Sequence, residues 1–179
     1  MFRFFQPDLS IDSVLELSPE KLQSAGLRSL LLDVDCTLKH YRSKTLPAEV
    51  AQWLETMRQH DIGLCLVSNG RGARIRQFAE TVRIPFVAPA MKPLPFGCWT
   101  ALRTMGFEKK STAMVGDQVF ADLLAGKLAG LYTVLVRPMN PEEEPWFTRL
   151  KRPFEKIVLR AEPLKKQPRE IDPGEPEVS

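Results

Sequence analysis

The chain alternates between short apolar runs and longer stretches in which apolar residues recur every three or four positions. Leu30-Leu31-Leu32-Asp33-Val34, Ile62 to Val67, Pro85-Phe86-Val87-Ala88, Thr112-Ala113-Met114-Val115 and Tyr132 to Val136 are the short runs. They lack the polar alternation of a half-exposed sheet, so each reads as a strand buried on both faces. Between them, Val50, Trp53, Leu54 and Met57 follow the helical period after Leu46-Pro47, and Ile75, Phe78, Ala79 and Val82 do so again. Pro95 to Met105 and Phe120 to Ala129 read as helices stopped by Gly106 and Gly130. Near the start, Ser18-Pro19-Glu20 supplies a cap and a first-position proline, and Gly26 a stop. Pro145 to Arg160 reads as one or two helices interrupted at Pro153.

Strand–helix alternation of this kind predicts an α/β, doubly wound (Rossmann-like) fold: a five-stranded parallel sheet with helices on both faces. Ligands in such sheets bind beyond the carboxyl ends of the strands. Chemistry is therefore expected just after the first four runs. The expected domain covers residues 1–162, with a core at 28–137 and a helical extension at 141–162. Residues 163–179 hold four of the fifteen prolines and few apolar residues. They read as a disordered tail, unable to bury enough surface to offset the entropy of ordering.

Composition narrows the class. Hydrophobic residues make up 44% and charged residues 26% of 179, which is ordinary for a globular domain and excludes a collagen or disulfide scaffold. No run approaches the roughly 20 apolar residues of a membrane span. The cysteines Cys36, Cys65 and Cys98 are odd in number and include no C-x-x-C pair, which argues against a disulfide framework or a structural zinc site. Cys65 reads as core. Met1-Phe2-Arg3-Phe4-Phe5-Gln6-Pro7-Asp8 does not read as a signal peptide, and a reduced compartment, cytoplasm or organelle stroma or matrix, is expected. The net charge is +3; residues 161–179 carry three basic and five acidic side chains, so the body is +5. That suits an anionic substrate or surface and falls far short of a nucleic-acid signature.

The four strand ends carry distinctive groups. After the first run come Asp33 and Asp35, two carboxylates two residues apart. Like charges crowded in a buried setting call for a cation or ligand to offset them. After the second come Ser68-Asn69-Gly70, a small hydroxyl and backbone N–H groups facing a helix start, an arrangement suited to an anion. After the third comes Lys92, and after the fourth Gly116-Asp117 and Asp122. Each has an ordinary reading as a turn, a cap or a solvated charge. Together, in that order, they fit a phosphoryl-transfer site. Carboxylates would hold a hard divalent cation, Ser68 and Lys92 would grip phosphate oxygens, and one carboxylate would attack phosphorus.

This order resembles the haloacid dehalogenase (HAD) superfamily, whose pattern is D-x-D-x-T, a strand ending in Ser or Thr, a Lys, and G-D-x-x-x-x-D. Here these read Asp33-Val34-Asp35-Cys36-Thr37, Val67-Ser68-Asn69, Lys92, and Gly116-Asp117 with Asp122. The resemblance implies Asp33 as the nucleophile that becomes an aspartyl-phosphate, and Asp35 as general acid, then base. It implies Mg²⁺ bound by Asp33, the backbone carbonyl of Asp35 and Asp117, with Asp122 supporting the metal shell. Ser68, Asn69 and Lys92 would bind the phosphoryl group. Cys36 stands where many relatives carry Asn or Gly, and little effect is expected from it.

Thr37 to Leu46 and Gly70 to Ala90 leave no room for the cap domain that relatives often insert. The site is expected to be open, to suit a bulky substrate or to be closed by oligomerisation. The whole chain is similar to the small uncapped (subclass IIIA) YqeG-like members, themselves similar to phosphatidylglycerophosphate phosphatases. Phe5-Gln6-Pro7-Asp8, Gly116-Asp117-Gln118 and Pro145-Trp146-Phe147-Thr148-Arg149 carry that likeness. It implies removal of a terminal phosphate to give phosphatidylglycerol, with a phospholipid headgroup as partner. Lys39, His40, Arg42, Lys44, Arg71, Arg74 and Arg76 could meet such headgroups. Met1, Phe2, Phe4, Phe5, Trp146 and Phe147 could either dip into a membrane surface beside Arg3, Lys151 and Arg152, or pack on the core. Two alternatives stay open: a phosphatase of a soluble metabolite, nucleotide or phosphoprotein, and a non-catalytic scaffold on the same fold.

Overall fold

A computed structural model describes residues 5–140 except 42 and 44, together with 142 and 153–155. The expectations for 1–4, for Arg42 and Lys44, for most of the helical extension with Trp146 and Phe147, and for the tail lie outside these residues. Pro153, Phe154 and Glu155 are helical.

Six strands form one sheet: β1 (Leu9–Ile11), β2 (Ser29–Leu32), β3 (Gly63–Val67), β4 (Phe86–Val87), β5 (Thr112–Gly116) and β6 (Tyr132–Val136). Their order is β1-β6-β5-β2-β3-β4 and every pairing is parallel. The expected doubly wound parallel sheet is present, with six strands rather than five. The additional strand, β1, spans three residues at the edge beside β6, two of them exposed. Its Leu9-Ser10-Ile11 alternates over three residues only, too short for the hydrophobic pattern to mark a strand.

Register explains how a continuous apolar strand is used. Leu30 pairs with Leu64 and Ala113, and Leu32 with Leu66 and Val115. These side chains share one core with Val50, Trp53, Leu54 and Met57 of helix α2 (Ala48–Gln59) and Ile75, Phe78 and Ala79 of α3 (Gly72–Val82). The intervening Leu31 pairs with Cys65 and Met114. These point to the other face, against Cys98 and Ala101 of α4 (Phe96–Met105) and Ala125 and Ala129 of α5 (Leu124–Ala129). Successive side chains alternate across a sheet, so a strand covered on both faces must be apolar at every position. Leu30, Leu31 and Leu32 are fully buried, each contributing about 2 kcal/mol through burial. A short helix, α1 (Pro19–Ser24), precedes β2, its Ser18 side chain accepting from the Lys21 N–H as expected of a cap.

Two local departures concern the carboxyl edge. The helix expected over Phe120 to Ala129 is α-helical only from Leu124; Val119–Leu123 form a π-helical turn. Cys36 has φ +64°, a left-handed conformation that Asn and Gly adopt more readily than other residues. That accounts physically for the Asn or Gly common at this place in similar proteins. Phe5 packs edge-to-face on Phe120, ring centroids 5.8 Å apart, so of the two readings of the N-terminal aromatics this one packs on the protein.

Candidate active site

All seven residues singled out from the sequence lie just past the carboxyl ends of β2, β3, β4 and β5. Asp33 directly follows β2, and its N–H still donates to the Val115 carbonyl of β5 at 2.9 Å. The ladder therefore continues one residue past the strand and fixes the Asp33 backbone. Asp33, Lys92, Asp117 and Asp122 are all buried.

Lys92 is the hub. Its Nζ donates to Asp33 Oδ1 at 2.5 Å, to Asp122 Oδ1 at 2.6 Å and to the Val67 carbonyl at 2.8 Å. Burial alone would strip the ammonium of its proton, yet Asp122 and Asp33 raise its pKa above the ordinary lysine value. Asn69 holds the Lys92 backbone from both sides: its Nδ2 donates to the Lys92 carbonyl at 2.7 Å, and the Lys92 N–H donates to its Oδ1 at 2.8 Å. The Asn69 amide is thus committed to positioning Lys92. Ser68 is buried, and its Oγ accepts from the Gly70 N–H at 3.1 Å. That bond leaves the hydroxyl proton free to donate.

Asp33, Asp117 and Asp122 each offer a carboxylate oxygen, all within 4.8 Å of one another. Thr37, fully buried, donates to Asp117 Oδ1 at 3.2 Å, and Asp122 Oδ2 accepts from the Gln118 N–H at 3.0 Å. Gly116 makes this convergence possible, because a Cβ there would lie 2.4 Å from the Asp122 carboxyl carbon. Among the described residues, the carboxyl groups of Asp33, Asp117 and Asp122 crowd together in a buried site, and Asp33 and Asp122 share the Lys92 ammonium. Burial pushes the Asp33 carboxyl up to about 7; Lys92 pulls it back, while Asp122 and Asp35 push it further. Three converging hard oxygen donors fit a divalent cation.

The Asp35 side chain lies outside this trio. Arg74, in the first turn of α3, donates from Nη1 to Asp35 Oδ1 at 2.8 Å and from Nη2 to Oδ2 at 2.5 Å. Lys39 adds a third bond, Nζ to Oδ1, at 3.0 Å. Burial would raise the Asp35 pKa, but Arg74 and then Lys39 outweigh it and hold the carboxyl below its ordinary range. Sequence reasoning named both cations but gave them to headgroups. Lys39 stands four residues after Asp35 in a loop rather than a helix, and Arg74 is brought across by α3, so spacing carries no signal for either contact. The other basic residue of α3 considered for headgroups, Arg76, lies over the Phe86 ring at 5.7 Å. Also unforeseen is Glu155, buried, whose Oε1 accepts from the Phe120 N–H at 3.3 Å beside the π-helical turn.

Residues 90–139, from the Lys92 loop to just past β6, match the HAD-hydrolase-like family. Across 159 residues the chain is 31% identical to "Probable phosphatase YqeG" of Bacillus subtilis, covering 89% of this chain and 92% of that protein. The chain belongs to the HAD superfamily of phosphatases. It is also 24% identical over 175 residues to "Phosphatidylglycerophosphate phosphatase 1, chloroplastic/mitochondrial" of Arabidopsis thaliana, spanning 48% of that protein's length. Among solved structures, the cobalt-bound deoxy-D-mannose-octulosonate 8-phosphate phosphatase of Haemophilus influenzae superposes with a TM-score of 0.51 at 15% identity, over 76% of this chain and 90% of that one. This last likeness is one of fold. A phosphatase of this superfamily acts on a phosphorylated substrate, and the crowded edge of the sheet is where the chain concentrates the groups to do so. Among the described residues no helix is long and apolar enough to cross a membrane.

Proposed function

We propose that this HAD phosphatase is a Mg²⁺-dependent phosphomonoester hydrolase working through an aspartyl-phosphate on Asp33, and that its substrate is phosphatidylglycerophosphate. The observation that carries the chemical part is the buried cluster of Asp33, Asp117 and Asp122 around Lys92. Asp33, Asp117 and Asp122 would hold the cation, with the Asp35 backbone carbonyl as a further ligand; bound there, the cation neutralises carboxylate and phosphate charge. The cobalt named for the Haemophilus influenzae phosphatase, a neighbour in fold, is in keeping with a divalent ion as cofactor.

The chain's own residues then do the following. The Ser68 hydroxyl donates to a non-bridging phosphate oxygen, Lys92 exchanges its bond to Asp33 for one to another as Asp33 turns to phosphorus, and Asn69 keeps Lys92 in place. An Asp33 oxygen attacks phosphorus, and the bond from phosphorus to the substrate's ester oxygen breaks, its electron pair leaving on that oxygen. Asp35, a carboxylate against Arg74 and Lys39 before substrate enters, first takes up a solvent proton and then gives it to that oxygen. Asp35, now a carboxylate, takes a proton from water as the water oxygen attacks phosphorus; the bond from phosphorus to Asp33 breaks. Asp33 is regenerated and inorganic phosphate is released.

The lipid substrate is supported by the name of the Arabidopsis thaliana relative. The test is Mg²⁺-dependent phosphate release from phosphatidylglycerophosphate in mixed micelles, beside a panel of soluble phosphoesters, with Asp33→Asn as control. Preference for the lipid is expected. Turnover of soluble esters alone would keep the chemistry and discard the lipid. Absence of all hydrolysis in a folded protein would instead favour the scaffold reading.

A further inference from the structure

Asp35 is held by two cations of very different standing. Lys39 is fixed: its side chain is 4% exposed, and its Nζ also donates to the carbonyls of Ser43 at 2.8 Å and His40 at 3.3 Å. Arg74 is a long side chain, 43% exposed, reaching in from the surface of α3. It passes over Gly70, where a Cβ would lie 2.5 Å from Nη2; the missing side chain leaves room for the guanidinium. Removing Arg74 from Asp35 would leave the carboxylate still paired to Lys39. The pair is therefore built so that one partner can leave at modest loss.

Between them, Arg74 and Lys39 occupy both Asp35 oxygens. An incoming ester oxygen must compete with these two cations for Asp35, and Arg74 is the cation able to move. In the mechanism above Asp35 stands on the leaving-group side, so Arg74 stands there too. A guanidinium fork fits two phosphate oxygens as well as it fits two carboxylate oxygens. An anion arriving there would replace both bonds that Arg74 gives up.

We propose that Arg74 is a second anion subsite, on the leaving-group side of the cleft, for phosphomonoesters whose alcohol carries a phosphodiester a few bonds from the ester oxygen. The phosphodiester takes the guanidinium from Asp35, and the same exchange frees Asp35 to meet the ester oxygen. A phosphomonoester without that second anion leaves Asp35 clamped. Arg74 is thus a specificity-determining residue. The inference rests on the placement of Asp35 in the proposed phosphatase mechanism, and deepens it by naming the feature of the substrate that is read.

The experiment measures binding first, in an Asp33→Asn background so that nothing is hydrolysed. Dissociation constants are taken by calorimetry, with Mg²⁺ present, for three ligands. These are glycerol 3-phosphate, deacylated glycerophosphoglycerol phosphate, and short-chain phosphatidylglycerophosphate. With Arg74 intact, both diester-bearing ligands should bind more tightly than glycerol 3-phosphate. Arg74→Ala should reduce that preference at least tenfold, and Arg74→Lys should restore only part of it. A preference that stays within twofold on Arg74→Ala overturns the proposal, as does the absence of any preference with Arg74 intact. Equal preference for the two diester ligands assigns the subsite to headgroup charge, whereas a preference that survives only with acyl chains overturns it. In the Asp33-intact protein, kcat/KM for the same ligands should show the same loss of selectivity. Failure to hydrolyse any ester there would sink the phosphatase mechanism, while the binding ratio still judges Arg74.

Discussion

Two carboxylates in this protein, the half-buried Asp8 and the buried Asp33, have opposite fates. Asp8, just before β1, directs its Oδ2 at three donors, the Thr133 N–H, the Thr133 hydroxyl and the Lys127 ammonium, each at 2.8 Å. Burial would raise its pKa, but Lys127 and Thr133 outweigh that and lower it. Asp33 is buried at the carboxyl end of the sheet, and the ammonium bonded to it, that of Lys92, is shared with Asp122. There burial wins and the pKa rises. Both lose some solvent, Asp33 more than Asp8, and they differ further in how many donors meet the charge. At Asp8 the carboxylate stitches a three-residue edge strand to β6. At Asp33 the incompletely offset charge is what a cation and a phosphoryl group can use.

Replacing each residue should separate these roles. Asp33→Asn is expected to lower phosphatase turnover by about 10⁴-fold or more, the scale seen when a nucleophile is removed. The melting temperature of the metal-free protein at pH 7–8 should hold or rise, because one of three crowded acids is neutralised. Phosphate release and a thermal melt on the same sample check both halves. Surviving turnover would transfer the nucleophile role elsewhere. A smaller loss is expected for Gly116→Ala, whose new methyl must displace the Asp122 carboxyl. A shift of about 1 Å in a catalytic group costs on the order of 10²-fold, so kcat should fall by about that much. Full activity would show that Asp122 need not stand where it does.

The contrast also marks how far the sequence could be read. The four strand ends were legible because each follows an apolar run whose length and composition fix a buried strand, and the topology then forces Asp33, Ser68, Lys92 and Asp117 together. The runs themselves were legible for the same reason, since Leu30, Leu31 and Leu32 are all buried. β1 was not, because three residues are too few for a pattern, and the ladder to β6 and the Asp8 contacts that hold them are long-range. Nor was the use made of Asn69 and Arg74. Asn69 follows Ser68 at a presumed anion site, yet its amide fits the Lys92 backbone. Arg74 lies on an exposed helix face, yet reaches 39 positions back in sequence to Asp35. Such side-chain choices depend on distances between elements, and periodicity does not encode those.

At the Asp8 end the expected effects are on stability. Asp8→Ala removes three charge-assisted hydrogen bonds, one of them to an ammonium, and leaves the buried Thr133 donors without that acceptor. With a discount for partial exposure this should cost about 2 kcal/mol. Chemical denaturation would read that loss, and kcat should change less than threefold. A destabilisation well under 0.5 kcal/mol would mean that β1 is held by its backbone ladder alone.

The smallest effect is the pH dependence of that same difference. Asp8 has a folded-state pKa below its ordinary value. Its contribution is therefore fully present above the unfolded value, near pH 4, and is lost as pH falls through the lower folded value. The stability gap between the protein and Asp8→Asn should be flat from pH 5 to pH 8 and should close below pH 4. Asp33 has the opposite sign: its raised pKa favours the protonated acid in the fold, so its ionisation weakens the metal-free protein as pH climbs from about 4 toward 7. The gap between Asp33→Asn and the unaltered protein should accordingly widen over that interval. Denaturant midpoints across pH for the two variants would read both trends. Gaps that moved together would mean that the two carboxylates share one electrostatic environment, and that the division between a structural and a reactive end of the sheet is wrong.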